Sequence, residues 1–246
     1  MQLSVTIIAK DAAGSLLKCL KSVQNVSDDI ILVIDTNSSD NSDSIGQEFG
    51  AQVFTRKFVN FADQKNFAAA KTKYPWVLSL DADELITPAL ASEILAFSPP
   101  PDITGINLYR QNQIFQKVIR HSNWDPHPIL RIYDKNRGHW TGNVHEQVQT
   151  AGQTVTFRNP VFHLNYQSVT QFLQKQNQYS SLRVSELSGF KMFSLFWDPV
   201  YEFNRRFFWH LGFLDGWHGL YLAYLMSVYH LSVHVKQWQK QNTTSA

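Results

Sequence analysis

Three carboxylates, Asp81, Asp83 and Glu84, crowd into four residues at the end of the run YPWVLSLDADE. When ionised they repel one another, so an empty cluster carries an electrostatic cost. A divalent cation relieves that cost, and carboxylate oxygen is the donor that magnesium, calcium and manganese prefer. The competing reading is a solvated acidic turn that starts the next helix. Asp35 closes a second apolar run, IILVI. Alone it reads as a cap more readily than as a ligand. Glu146, in NVHEQV, is the only carboxylate from Lys135 to Ser185. It is a candidate general base for a hydroxyl, which needs a carboxylate within hydrogen-bond reach; the plainer reading is an exposed loop or strand residue. His163 lies in the apolar run VFHL. A lone histidine there is usually a satisfied core residue, although imidazole is compatible with manganese. Lys65, in FADQKNFAAAK, reads by itself as a solvated helix charge.

These groups need elements to hold them. Leu3 to Ala9 reads as a strand, and Leu16, Leu17, Leu20 and Val23 recur at helical spacing after it. Ile30 to Ile34 is a second buried strand that stops at Asp35. The polar stretch TNSSDNSDS is rich in capping residues and leads into a short helix with Ile45 and Phe49 on one face and Gly50 as its stop. Ala51 to Thr55 predicts a third strand, residues 61–73 a helix, and Trp76 to Leu80 a fourth strand. Alternating strands and helices predict an α/β fold, a mostly parallel sheet flanked by helices. Parallel strands place Asp35 and Asp81 on one edge, beyond the strands' carboxyl ends, where ligands of such sheets bind. Thr87 and Pro88 suit an N-cap and a first helical position. The turn after the first strand reads AKDAAGS, so the glycine fingerprint of dinucleotide binders is absent, as is a P-loop.

Composition narrows the class. The 246-residue chain is 43% hydrophobic and 17% charged, enough to bury a sizeable core, with a net charge of +2 that suggests no nucleic-acid partner. Cys19 is the single cysteine, so no internal disulfide is expected, and the N-terminal MQLSVTIIAKD reads as too short and too soon charged for a signal peptide. Ser168 followed by Gln171 predicts a helix start, with Gly189 near that helix's end. From Trp217 to Val235 there is no Asp, Glu, Lys or Arg over 19 residues, a length near that of a membrane span. Three His, three Tyr and two Ser make this run less apolar than a typical span, and Arg205, Arg206 and Lys236 flank it. The expectation is a catalytic domain over 1–166 and a C-terminal helical region over 167–246 that lies on a membrane surface. Packing on the catalytic domain or in a dimer interface is the alternative.

The pieces SVTIIAKD, VIDTNSSDNS, FADQKNFAAAK and WVLSLDADE, in this order, resemble the family 2 glycosyltransferases with the GT-A (Rossmann-like) fold. RIYDKNRGHWTGNVHEQV, VFHLNYQSVTQFLQKQNQYS and FLDGWHGLYLAYLMSVYH are similar to the bacterial subgroup that adds β-glucose to the inner core of lipopolysaccharide or lipooligosaccharide. The resemblance spans nearly the whole chain. It implies transfer from a nucleotide sugar, UDP-glucose, to a lipid-linked oligosaccharide, with inversion, by a protein on the inner face of the cytoplasmic membrane. It implies that Asp83 ligates Mn2+ or Mg2+, that Asp81 contacts the ribose or the metal shell, and that His163 is a further metal ligand. It also implies that Asp35 accepts from the uracil ring, that the backbone near Ile7 and Ile8 lines the base, and that Lys65 and Asn66 lie near nucleotide and sugar. Glu146 is then the base, with His145 beside it to orient it, bind phosphate or pack, and Arg131 and Trp140 shape the pocket or the core. Glu84 orients the acids or caps the next turn. Two other classes remain in view. A nucleotidyltransferase on a similar sheet lacks its usual glycine-rich basic loop here. A non-catalytic sugar-binding protein would have no need of the acid cluster.

Overall fold

The computed structural model describes residues 1–142, 146–187 and 189–244. The chain divides into two compact units, one of residues 1–110 and 126–164, the other of residues 111–125 and 165–246. Residues 111–125, which the sequence leaves with the catalytic part, thus group with the C-terminal helices.

The first unit is built on β1 (Leu3–Ala9), which carries α1 (Ala13–Val23) after it. Next come β2 (Ile30–Asp35), α2 (Ser42–Glu48), β3 (Gln52–Arg56), α3 (Phe61–Ala70) and β4 (Trp76–Asp81). The four strands are parallel in the order β3-β2-β1-β4. The chain therefore winds outward from β1 to β3 and returns to the other side of β1 for β4. This reversal opens a crevice at the carboxyl ends of β1 and β4. Ile7 pairs with Leu32 on one side and Leu80 on the other, and Ile8 pairs with Asp81. One face of the sheet packs on α1 through buried Leu16, Cys19, Leu20 and Val23. On the other, Ala68 of α3 meets Ile31 and Val33, its small side chain letting the helix come close. Gly50 ends α2 with a φ of +80°, a conformation that glycine adopts without strain.

The rest of this sheet is antiparallel or mixed. After β5 (Glu84–Ile86) and α4 (Pro88–Ala96) come β6 (Ile103–Ile114), β7 (Lys117–Val118) and β8 (His127–Asp134). β9 (Gly138–Thr141) and β10 (Gln147–Thr150) form a separate two-stranded sheet. β11 (Gln153–Thr156) pairs with β6, and β12 (Val161–Tyr166) runs antiparallel to β5. Thr87 caps α4, accepting from the Leu90 amide ahead of Pro88.

In the second unit, Ile114, Ile119, Tyr166, Phe172, Leu222 and Met226 form the core. Burial pushes the Tyr166 hydroxyl pKa up to about 12. The helices are α5 (Val169–Glu186), capped by Ser168, α6 (Met192–Asn204) and α7 (Trp217–Thr244). A π-helical turn (Arg205–Trp209) and a 3-10 turn (Gly212–Asp215) join the last two. Among the described residues no helix is long and apolar enough to cross a membrane. The uncharged run of α7 instead presents Leu222, Ala223, Met226 and Val233 to the interior of this unit. The cations expected to flank a membrane segment are engaged within the unit. Arg206 is buried against Glu202, and Lys236 donates to Asn177, Ser180 and Ser181.

Candidate active site

Edge geometry brings β4, β5, β8 and α3 to one place, and each delivers a charge. Asp81 ends β4. Glu84, two residues after the intervening turn starts, is completely buried. Its Oε2 accepts from the Asp81 amide at 3.1 Å and its Oε1 from Arg131 Nη2 at 2.7 Å, with Arg110 Nε 3.2 Å away. Arg131, on β8, also donates to Asp81 Oδ2 at 3.0 Å. Lys65, on α3, is only 1% exposed, and its ammonium sits 3.0 Å from Asp81 Oδ1 and 2.9 Å from Glu146 Oε1. It also lies 4.4 Å from the centroid of the Trp140 ring. Burying an ammonium this deeply is costly unless it is paired, and the two carboxylates and the indole face supply that pairing.

The network fixes protonation. Burial would raise the Asp81 carboxyl, but Lys65 and Arg131 outweigh it and hold that group well below the usual carboxylate range. Burial would likewise lower Arg131, and the carboxylates of Glu84 and Asp81 hold it above its ordinary value. Glu84 is therefore an anchor for the Arg131 guanidinium and the Asp81 backbone amide. The position of Arg110 carried no signal in the sequence, where it is one basic residue in a polar strand.

Asp83 looks the other way. Antiparallel pairing sets His163 of β12 opposite Glu84, and the Leu164 amide donates to the Asp83 carbonyl at 2.8 Å. His163 Nε2 is 3.3 Å from Asp83 Oδ2, and the Arg110 guanidinium lies 2.9 Å from the imidazole nitrogens. Among the described residues no three His, Cys, Asp or Glu side chains gather as a metal cluster. The structure thus brings together Asp83 and His163 of the expected ligand set, while both oxygens of Asp81 face cations. A carboxylate oxygen beside an imidazole nitrogen is a donor pair compatible with a manganese-type ion.

Along the same edge, Asp35 ends β2. It is almost fully buried, and its Oδ1 accepts from the Asn37 amide at 3.1 Å, which holds its pKa below the usual range. Lys10 lies 3.6 Å away. The loop after β2 is tied to the loop after β1. Asp11, at φ 47°, accepts from Ser39 N at 2.8 Å and donates its amide to Ser38 Oγ at 2.9 Å. Asp40 accepts from the Ala13 amide at 2.7 Å and from the Ser42 amide at 3.1 Å, so one carboxylate of the polar stretch serves the starts of both α1 and α2.

Ile7 is wholly buried and Ile8 half-buried, and both backbones lie in ladders to β2 and β4, close to the carboxyl end of β1. Asn66 binds protein on both sides of its amide, donating to the Trp140 carbonyl and accepting from its amide, each at 2.9 Å. It positions Trp140, which packs edge-on against Tyr133 with ring centroids 6.4 Å apart. Glu146 immediately precedes β10, and its side chain is 19% exposed. His145 lies outside the described residues.

The model of glycosyl transferase family 2 matches residues 4–162. An uncharacterized glycosyltransferase of Rickettsia felis is 26% identical over 240 residues, covering 89% of this chain and 83% of that protein. The lipopolysaccharide core biosynthesis glycosyltransferase LpsC of Rhizobium meliloti is 25% identical over 247 residues, covering 92% of this chain and 90% of that protein. Among solved structures, S. aureus TarS has a similar fold at a TM-score of 0.50 and 12% identity over 74% of this chain. This chain spans only 39% of the TarS chain.

Proposed function

Because this chain belongs to glycosyl transferase family 2, we propose that it moves a hexose from a nucleotide sugar, UDP-glucose in the first instance, to a lipid-linked oligosaccharide. The acceptor in this reading is a lipopolysaccharide or lipooligosaccharide core, and the work is done at the inner face of the cytoplasmic membrane. The similarity to LpsC along both chains supports the acceptor class. The observation that carries the reaction is Lys65, which places Asp81 and Glu146 on either side of one buried ammonium.

The chemistry follows from that placement. The donor's bond between C1 and the diphosphate oxygen breaks, and that oxygen leaves with the bonding electrons. An acceptor hydroxyl forms the new bond to C1 from the opposite face, which inverts the anomeric centre. Glu146 takes the hydroxyl proton as the attack proceeds. Asp35 and the knitted loops around Asp11 and Asp40 form a rigid edge suited to the base and ribose. Asp83 and His163 would hold the divalent ion, which when bound supplies positive charge for the leaving diphosphate. Arg110, beside His163, adds a fixed cation to that corner.

The test is acceptor-dependent UDP release from UDP-glucose. It should stop with EDTA and return with manganese or magnesium. Asp83→Asn should keep the fold and lose at least about a hundredfold in turnover, as when transition-state charge is left unbalanced. Undiminished activity of that variant in EDTA would remove the metal from the mechanism.

A further inference from the structure

The second unit leaves an apolar stripe bare. Along α6, Met192, Phe193, Phe196, Trp197, Val200 and Tyr201 are all more than half exposed. Adjacent pairs repeating every four residues fall on one side of a helix. The stripe continues past α6, where Trp209 is 83% exposed and Trp217 72%. Aromatic contacts tie the end of α6 to the turns after it. Phe207 meets Phe203 and Phe213 at centroid separations of 5.5 and 6.3 Å. Six large apolar side chains at this exposure amount to roughly the largest bare patch that a soluble monomer ordinarily carries, before the tryptophans are added.

The charge pattern says what covers it. Between Lys191 and Trp238 the carboxylates are Asp198, Glu202 and Asp215. Each has an internal partner. Asp198 meets His234 at 2.7 Å, Glu202 meets Arg205 at 2.8 Å, and Asp215 accepts from the His121 amide at 2.9 Å. Lys191 is exposed at the start of the stripe. The face is thus largely apolar and edged by indole and phenol groups; Glu202 and Asp215 are buried, and Asp198, with its side chain 40% exposed, is the one carboxylate on it. Indole and phenol rings favour the boundary where one end is apolar and the other wet. A second copy of the chain would have to supply partners for those polar tips, whereas a headgroup layer supplies them with its water.

We propose that α6 and the π-helical turn lie in the headgroup layer of an anionic bilayer, with the stripe toward the acyl chains. This deepens the reading of a lipid-linked acceptor and rests on it. The anchor is α6 with the turns that follow it and Trp217 at the start of α7; further along α7, Leu222, Ala223 and Met226 are buried.

The test is co-sedimentation of the full chain with vesicles of phosphatidylcholine and phosphatidylglycerol. The wild type should pellet, and less so in salt or with phosphatidylcholine alone. Phe193→Ser combined with Trp197→Ser should lower partitioning by about tenfold or more, while Leu231→Ser, on α7 outside the stripe, should not. Brominated phospholipid should quench wild-type tryptophan fluorescence, a readout that needs no variant to fold. Wild type left in the supernatant at low salt, equal binding by the double variant, or no quenching would overturn the proposal. A concentration-dependent dimer abolished by the double variant would assign the stripe to a second copy and overturn it as well. UDP release with a soluble oligosaccharide acceptor is measured on the same samples. Vesicle binding without any UDP release would remove the transfer reaction and leave the surface in place.

Discussion

At the scale of the residue, the site is a set of charges that neutralise one another across the fold. Lys65 and Glu146 are 81 positions apart and meet at 2.9 Å. The pairing fixes where the Glu146 carboxylate sits. Glu146→Gln keeps the volume and removes the proton acceptor. Transfer should fall by at least about a hundredfold, the usual scale for losing a general base. Affinity for UDP-glucose, followed by calorimetry, should stay nearly unchanged. Lost donor affinity with normal transfer at saturation would make Glu146 a binding residue instead, and Asp125 or Asp134 would be examined next. The types of these residues were legible in the sequence because acids at strand ends are conspicuous. Their partners were not. Nothing local joins Arg110 to Glu84, or Asn66 to the backbone of Trp140, and only the tertiary fold turns Asp81 toward cations and Asp83 toward His163.

At the scale of the element, the first four strands and their helices were readable because buried parallel strands are nearly continuous apolar runs. The caps were readable too. Thr87 before Pro88 and Ser168 before Gln171 act as their spacing suggests. Strands β8 to β11 were harder, being partly exposed and following one another without helices. The run Trp217 to Val235 shows the limit of composition. An uncharged helix that packs on two others and one that lies on a lipid surface share the same letters. The core of the first unit gives a direct prediction. Leu20 is fully buried between α1 and the sheet. Leu20→Ala should lower unfolding free energy by about 2–5 kcal/mol, as for other buried leucines. Urea titration checks this, and a change under about 1 kcal/mol would mean that the cavity collapses or that the helix is loosely docked.

At the scale of the whole molecule, the buried titratable groups make the fold acid-sensitive. Burial lowers the His230 pKa from its ordinary value, and the Lys65 and Arg131 charges overcome burial to lower that of Asp81. For both, the unfolded chain takes up protons at a higher pH than the folded chain. Stability from each is therefore fully present above its unfolded pKa and is lost as pH falls toward the folded value. The melting temperature should decline first below about pH 6.5, through His230, and again below about pH 4, through Asp81. A melting temperature constant from neutral to acid pH would contradict this account of the charge network. The central claim is an inverting transfer in a single displacement, with Glu146 on the acceptor side and the diphosphate leaving opposite it. The measurement that meets it most directly is the anomeric configuration of the product made from UDP-α-glucose, read by proton NMR. Inversion at C1 gives a β-linked glucoside. An α-linked product would contradict it.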